Sequence, residues 1–160
     1  MKDVQIDIRI SSVTYDELSA KEQQLINAAK DATKNSYAPY SHFSVGAAAL
    51  LDNDVIVTGS NQENAAYPSG ICAERTTLFY ANSQYPDSAV RALAVVAWTE
   101  GDFLETPIPP CGACRQVLLE TEKRFGTTMR ILLFGKKEIY VMEGVKNLLP
   151  LSFTTEYLAK

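Results

Sequence analysis

Every residue from Ala92 to Trp98 (Ala-Leu-Ala-Val-Val-Ala-Trp) is apolar, and that run constrains the fold more than any other feature of the chain. A strand with one face in water alternates apolar and polar residues. An unbroken apolar run of this length has both faces covered, as strands do in the middle of layered α/β sheets. The neighbouring segments supply the cover. Ser19 and Glu22 form a capping-box pattern, and Leu25, Ile26, Ala29 and Ala32 recur at helical spacing. They predict a helix from Ala20 to Lys34, stopped by Asn35 and by Pro39 beyond it. A second helical pattern begins near Cys72, with Leu78 and Phe79 on its apolar side. A third spans Cys111 to Phe125, with Val117, Leu118 and the stem of Lys123 on successive turns.

Further strands are predicted at Phe43–Leu51 and Val55–Gly59, joined by the turn signal Asp52-Asn53-Asp54, and at Arg130–Phe134 and Ile139–Met142. At the N-terminus Val4, Ile6, Ile8 and Ile10 alternate with polar residues. That segment reads as an added strand that extends a sheet edge or reaches a neighbouring subunit. Asn61–Gly70 and the Pro-rich Gly101–Pro110 read as loops, and a short helical tail closes the chain. Strands alternating with helices in this order imply a central mixed sheet between helices. No repeat or linker interrupts the chain, so one domain over residues 1–160 is expected, with residues 1–13 as its strand extension.

The segment MKDVQIDIRI lacks the continuous apolar core of a signal peptide, and no apolar run approaches the ~20 residues that span a bilayer. A cytoplasmic enzyme is expected. The net charge is −4, and Lys123-Arg124 and Lys136-Lys137 are the only adjacent basic pairs. Proteins that hold polyanions carry a basic stripe. A small uncharged substrate fits this balance better than a nucleic acid or a membrane.

There are three cysteines, Cys72, Cys111 and Cys114. An odd number with a Cys-x-x-Cys pair, and no secretion signal, argues against a disulfide framework. Each cysteine motif stands where a loop meets a predicted helix. A first helical turn lets Cys111 and Cys114 converge on one ion, and Cys72 can add a third thiolate from another helix. Zinc suits such ligands, and three protein ligands with an open position is the catalytic arrangement. Three thiolates overcompensate the charge of zinc. Two helix N-termini and the guanidinium groups of Arg75 and Arg115, Arg75 chiefly, are available to offset the excess. Glu74, two residues from Cys72, can reach a metal-bound water without ligating the metal, and a carboxyl there can carry protons.

Cys-x-Glu followed by Pro-Cys-x-x-Cys resembles the signature of the zinc nucleobase deaminases in its three-cysteine form. More specifically, the chain resembles the small homotetrameric cytidine deaminases over nearly its full length. The matching stretches are Tyr37–Phe43, Asn61–Tyr67, Gly70–Thr76, Pro110–Val117, and Leu148–Pro150 with Phe153. Ser44 and Thr154-Thr155 depart from the family's usual residues. The resemblance implies a three-layer α/β/α sandwich around a five-stranded mixed sheet. It implies hydrolysis of cytidine and 2′-deoxycytidine to the uridines and ammonia, in pyrimidine salvage. One zinc per chain would be held by Cys72, Cys111 and Cys114, with Glu74 as the catalytic proton carrier. Asn61 and Glu63 would bind the ribose, with Glu63 as a buried carboxylate. Phe43 and the Ala73 backbone would hold the base. Tyr67 and Phe153 would enter a neighbouring subunit's pocket in a homotetramer.

Other readings of the same residues leave more unexplained. A redox Cys-x-x-Cys leaves Cys72 and Glu74 without a role. A structural site of three cysteines and a histidine needs His42, the only histidine, at a spacing unlike zinc fingers. An editing deaminase needs a basic channel. A deaminase of another nucleoside analogue shares the metal chemistry.

Overall fold

The computed structural model describes residues 1–158; residues 159–160 of the expected domain lie outside the described part. Along the chain it contains β1 (Ser11–Val13), α1 (Ala20–Ala32), β2 (Ser44–Leu51), β3 (Ile56–Ser60), α2 (Ala73–Gln84) and β4 (Val90–Thr99). Then follow β5 (Asp102–Phe103), α3 (Gly112–Phe125), β6 (Arg130–Phe134) and β7 (Ile139–Glu143). The strands form one mixed sheet in the order β1-β7-β6-β4-β2-β3, with β5 paired to β4. Only β4 and β6 are parallel, and α3 lies in the connection between them. Parallel neighbours need such a crossover.

The alternation of side chains along each strand divides the interior in two. Ala47, Ala49, Leu93, Val95, Ile131 and Leu133 pack with Leu78 of α2 and Leu118 of α3. Ala48, Ala94, Val96, Leu132 and Phe134 pack with Leu25, Ile26 and Ala29 of α1. The sheet therefore has α1 on one face and α2 with α3 on the other, the three-layer sandwich. Leu93 and Val96 of β4 face opposite layers, and both are fully buried. That is why the run showed no polar alternation. Truncating a fully buried leucine such as Leu93 to alanine costs ~2–5 kcal/mol.

Small residues bring helices onto the sheet. A Cβ at Gly46 would lie 2.1 Å from the carbonyl oxygen of Ala29 in α1. One at Gly59 would lie 2.6 Å from Thr77 Oγ1 and 2.8 Å from Thr77 N in α2. The Thr77 hydroxyl also donates to the Ala73 carbonyl at 2.8 Å. The Ser19–Glu22 capping box is formed, with Ser19 Oγ accepting from Glu22 N at 3.3 Å and Glu22 Oε2 accepting from Ser19 N at 2.8 Å.

Several expectations need correction. The five central strands are present, but the sheet also includes β1 and β5. The N-terminal strand is Ser11–Val13, paired antiparallel with β7; Val4, Ile6, Ile8 and Ile10 lie outside any ladder. The residues of β1 pair with Val141, Tyr140 and Ile139. Continued, that register brings Arg9 to Glu143, where β7 ends. Among the described residues, those before Arg9 thus have no stretch of β7 left to pair with. Phe79 is 50% exposed, because α2 rests on the sheet through Leu78 and Ala81 instead. Helix α1 ends at Ala32 and continues as a 3-10 turn to Asn35, and the tail is made of 3-10 turns rather than an α-helix. Among the described residues no helix is long and apolar enough to cross a membrane.

Candidate active site

Cys72 and Cys111 occupy the N-cap positions of α2 and α3, both with extended backbone, and neither makes a side-chain capping bond. Their carbonyls accept the first helical bonds, from Thr76 N and Arg115 N, each at 3.0 Å. An N-cap side chain and the side chain three residues on share one side of the first turn, as in a capping box. In α3 that third residue is Cys114, and its Sγ lies 3.4 Å from Cys111 Sγ. In α2 it is Arg75, whose Nη2 lies 3.8 Å from Cys72 Sγ. One local geometry thus supplies a thiol pair on one helix and a thiol–guanidinium pair on the other.

The two helix starts stand side by side, with Cys72 Sγ 3.8 Å from Cys111 Sγ. All three sulfurs lie within 4.8 Å of one another. Tetrahedral ligands 2.3 Å from a zinc ion are ~3.8 Å apart, so the donor set fits that metal. Zinc holds such thiols deprotonated. Without a cation, Cys72 falls to about 5, chiefly through a hydrogen bond from Cys114 and then Arg75, against the effect of burial. The Cys114 thiol is pushed up, chiefly as the donor of that bond and then by burial. His42, expected in the structural alternative, is absent from the cluster, which consists of cysteines alone among the described residues. Arg115 is spent elsewhere: its Nε donates to the Pro110 carbonyl at 2.8 Å and its Nη1 to the Leu148 carbonyl at 2.7 Å. It braces the loop before α3 rather than touching sulfur.

Glu74, on the first turn of α2, is 4% exposed. Burial is the main cause that raises its carboxyl above the ordinary value, and the Cys72 charge adds to it. Cys72, Cys111 and Glu74 face a cleft of about 760 Å³ whose walls also include Phe43, Asn61, Glu63, Tyr67 and Ala73. Every residue expected at the site lines this cleft except Cys114, buried beneath it, and Phe153. Phe153 lies on the tail, stacked on Tyr157 at 5.9 Å, and its carbonyl accepts from Gln116 Nε2. Tyr67, expected at a neighbour's pocket, lies at the rim of its own, edge-on to Tyr40 at 6.2 Å.

Asn61 is largely occupied within the chain. Its Oδ1 accepts from Ser36 Oγ at 2.6 Å and from Val45 N at 2.8 Å, and its Nδ2 donates to the Phe43 carbonyl at 2.9 Å. One Nδ2–H is left for a ligand. Glu63 is half-exposed rather than buried. Its Oε2 accepts from Tyr40 N at 2.9 Å and Ser41 N at 3.2 Å, leaving Oε1 free. Hydrogen bonds from Ser41, then Tyr40, hold its carboxyl below the usual range. These loop donors, the amides of Tyr40 and Ser41 and the Ser41 hydroxyl, escaped the sequence reading because they lie more than twenty residues from Glu63. Asn64 bonds within its loop, accepting from Ala66 N at 2.9 Å.

Ligands for a borderline-soft cation beside a buried carboxyl define a metal-centred acid–base site. Comparison with known proteins identifies which. Residues 19–128 match the model of the cytidine and deoxycytidylate deaminase zinc-binding region, and the chain belongs to that family. A cytidine deaminase of Sporosarcina psychrophila is 43% identical over 137 residues, covering 86% of this chain and 94% of that protein. A cytidine deaminase of Halalkalibacterium halodurans is 49% identical over 98 residues, covering 61% of this chain and 70% of that one. The crystal structure of cytidine deaminase from Burkholderia pseudomallei superposes with a TM-score of 0.68 at 41% identity, covering 81% of this chain and 97% of that one.

Proposed function

We propose that this chain hydrolyses cytidine and 2′-deoxycytidine to uridine and 2′-deoxyuridine, consuming one water and releasing one ammonia. The observation that carries the reading is a cluster of three sulfurs, two of them with buried Glu74 at one cleft that also holds Asn61 and Glu63. Cys72, Cys111 and Cys114 would hold one zinc per chain, and zinc supplies the Lewis acidity that brings water toward a pKa of ~7. The chain's own groups do the rest. The Glu74 carboxylate takes a proton from water and delivers it to the ring nitrogen beside the amino-bearing carbon. The water oxygen bonds to that carbon, its remaining proton passes through the same carboxyl to the amine, and the C–N bond breaks to release ammonia. Arg75 holds the Cys72 charge in place. The free first-turn N–H of Ala73 and the ring of Phe43 position the base.

At the sugar end, Glu63 Oε1 accepts from the ribose 3′-hydroxyl and the remaining Nδ2–H of Asn61 donates to it. A site built on hydroxyl contacts rejects a free base that lacks them. The residues act within one domain, and Tyr67 and Phe153 complete a neighbouring pocket in a homotetramer. The setting is cytoplasmic pyrimidine salvage.

The test is ultraviolet-monitored turnover of cytidine by zinc-assayed protein, with cytosine and CMP in parallel. Loss of cytidine absorbance at one zinc per chain, with little turnover of the other two, is the expected result. No turnover by fully zinc-loaded protein overturns it.

A further inference from the structure

The N-terminal segment presents its apolar side outward. Asp7, Arg9, Ser11 and Val13 line one wall of a cavity of about 700 Å³, opposite Val141 and Glu143. The alternate residues Ile6, Ile8 and Ile10 stand on the other side of the segment, 46%, 50% and 50% exposed. Val4, in the same row, is 82% exposed. An extended row of isoleucines on an unpaired edge is what natural sheets avoid unless another strand covers it. The base of the row is fixed: Ser11–Val13 pair with β7, Ser12 Oγ donates to Glu138 Oε2 at 2.6 Å, and Arg9 N donates to Asn147 Oδ1 at 3.0 Å. Past Arg9 the backbone runs beyond the end of β7. The segment also precedes residue 19, where the deaminase family model begins. No cleft residue belongs to it.

The sequence here is self-complementary. Ile8 is flanked by Asp7 and Arg9, and then by Ile6 and Ile10. Two antiparallel copies centred on Ile8 would set each Asp7 opposite Arg9 of the other copy, twice. On the other face they would set Ile8 against Ile8 and each Ile6 against Ile10. Shifting the register by one residue in each copy centres it on Asp7 and sets two like charges opposite. The geometry points to the outer edge of this segment as a docking edge for a second copy of the chain. The pairing is antiparallel about Ile8 and joins the two sheets into one. Opposite charges, apolar cross-strand pairs and a free backbone edge are the elements of strand addition.

The test uses the full-length, zinc-loaded chain, so that Cys72, Cys111 and Cys114 stay occupied. Ile8→Cys is expected to form a disulfide-linked dimer on mild oxidation, because Ile8 meets its own counterpart. Ile6→Cys, displaced from its counterpart by four residues in this register, is expected to cross-link roughly tenfold less. In the Ile8→Cys background, Asp7→Arg should lower the cross-linking rate roughly tenfold, and adding Arg9→Asp should restore it by swapping the pair. Deamination serves as a separate control and should stay unchanged throughout. Equal cross-linking at positions 6 and 8, no cross-linking at either, or failure of the charge swap to restore the rate overturns the pairing. A different protein recovered on Ile8→Cys in place of the second copy does so as well.

Discussion

Two carboxylates line the same cleft, and their surroundings drive them in opposite directions. Glu74 sits on the first turn of a helix, closed off from solvent, and burial raises it. Glu63 lies in a loop, half-exposed, and hydrogen bonds from Ser41 and Tyr40 lower it. Burial disfavours the charged form of a carboxyl, which suits a group that passes protons. A carboxyl held by donors on one oxygen is favoured as an anion and can accept further hydrogen bonds on the other. The difference lies in neighbours rather than residue type, and it matches the proposed division of the cleft into a chemical end and a sugar end.

That contrast can be broken from either side. Glu74→Gln is expected to lower kcat by ~10³-fold or more while zinc, assayed by atomic absorption, stays bound. A zinc-loaded variant with near-normal kcat would remove the proton-carrier role. Glu63→Ala should act on the other parameter, raising KM for cytidine by ~10–100-fold with a much smaller change in kcat. A fall in kcat matching that of Glu74→Gln would erase the distinction. Arg75→Gln should weaken zinc retention by roughly tenfold, measured by competition with a chelator, because the Cys72 thiolate loses its guanidinium. The smallest effect concerns pH. Glu63 is held below its ordinary 4.5, so it is ionised throughout the range above that value. KM should therefore stay level from about pH 8 down to about pH 5 and rise only in stronger acid. A KM that climbs between pH 7 and 6 would mean another group governs sugar binding.

The layered fold could be read from the sequence because burial on both faces leaves a one-dimensional trace, as at Ala92–Trp98. The cysteine pair of α3 could be read because the N-cap and third helical positions are close in sequence as well as in space. Longer-range relations left no such trace. The brace that Asn61 forms with Ser36, Phe43 and Val45 joins residues 16 to 25 positions away. The free edge at Ile8 depends on where a strand more than a hundred residues later stops. Phe79 misled because one step from Leu78 turns a helix by about 100°, enough to carry a side chain off the sheet. Arg75 and Arg115 both lie within four residues of an N-cap cysteine, at offsets of three and four, yet only Arg75 reaches sulfur. The loop carbonyl of Pro110 and that of Leu148 had claimed Arg115.

The contact between Gly59 and Thr77 works as a gauge block. Thr77 lies one helical turn beyond Ala73, so the height of α2 above β3 also sets the height of Cys72 and Glu74. Helix α3 carries the other two sulfurs and does not rest on that glycine. A single added methyl at Gly59 would lift one half of the metal triangle against the other and misalign the centre without altering any residue that lines it.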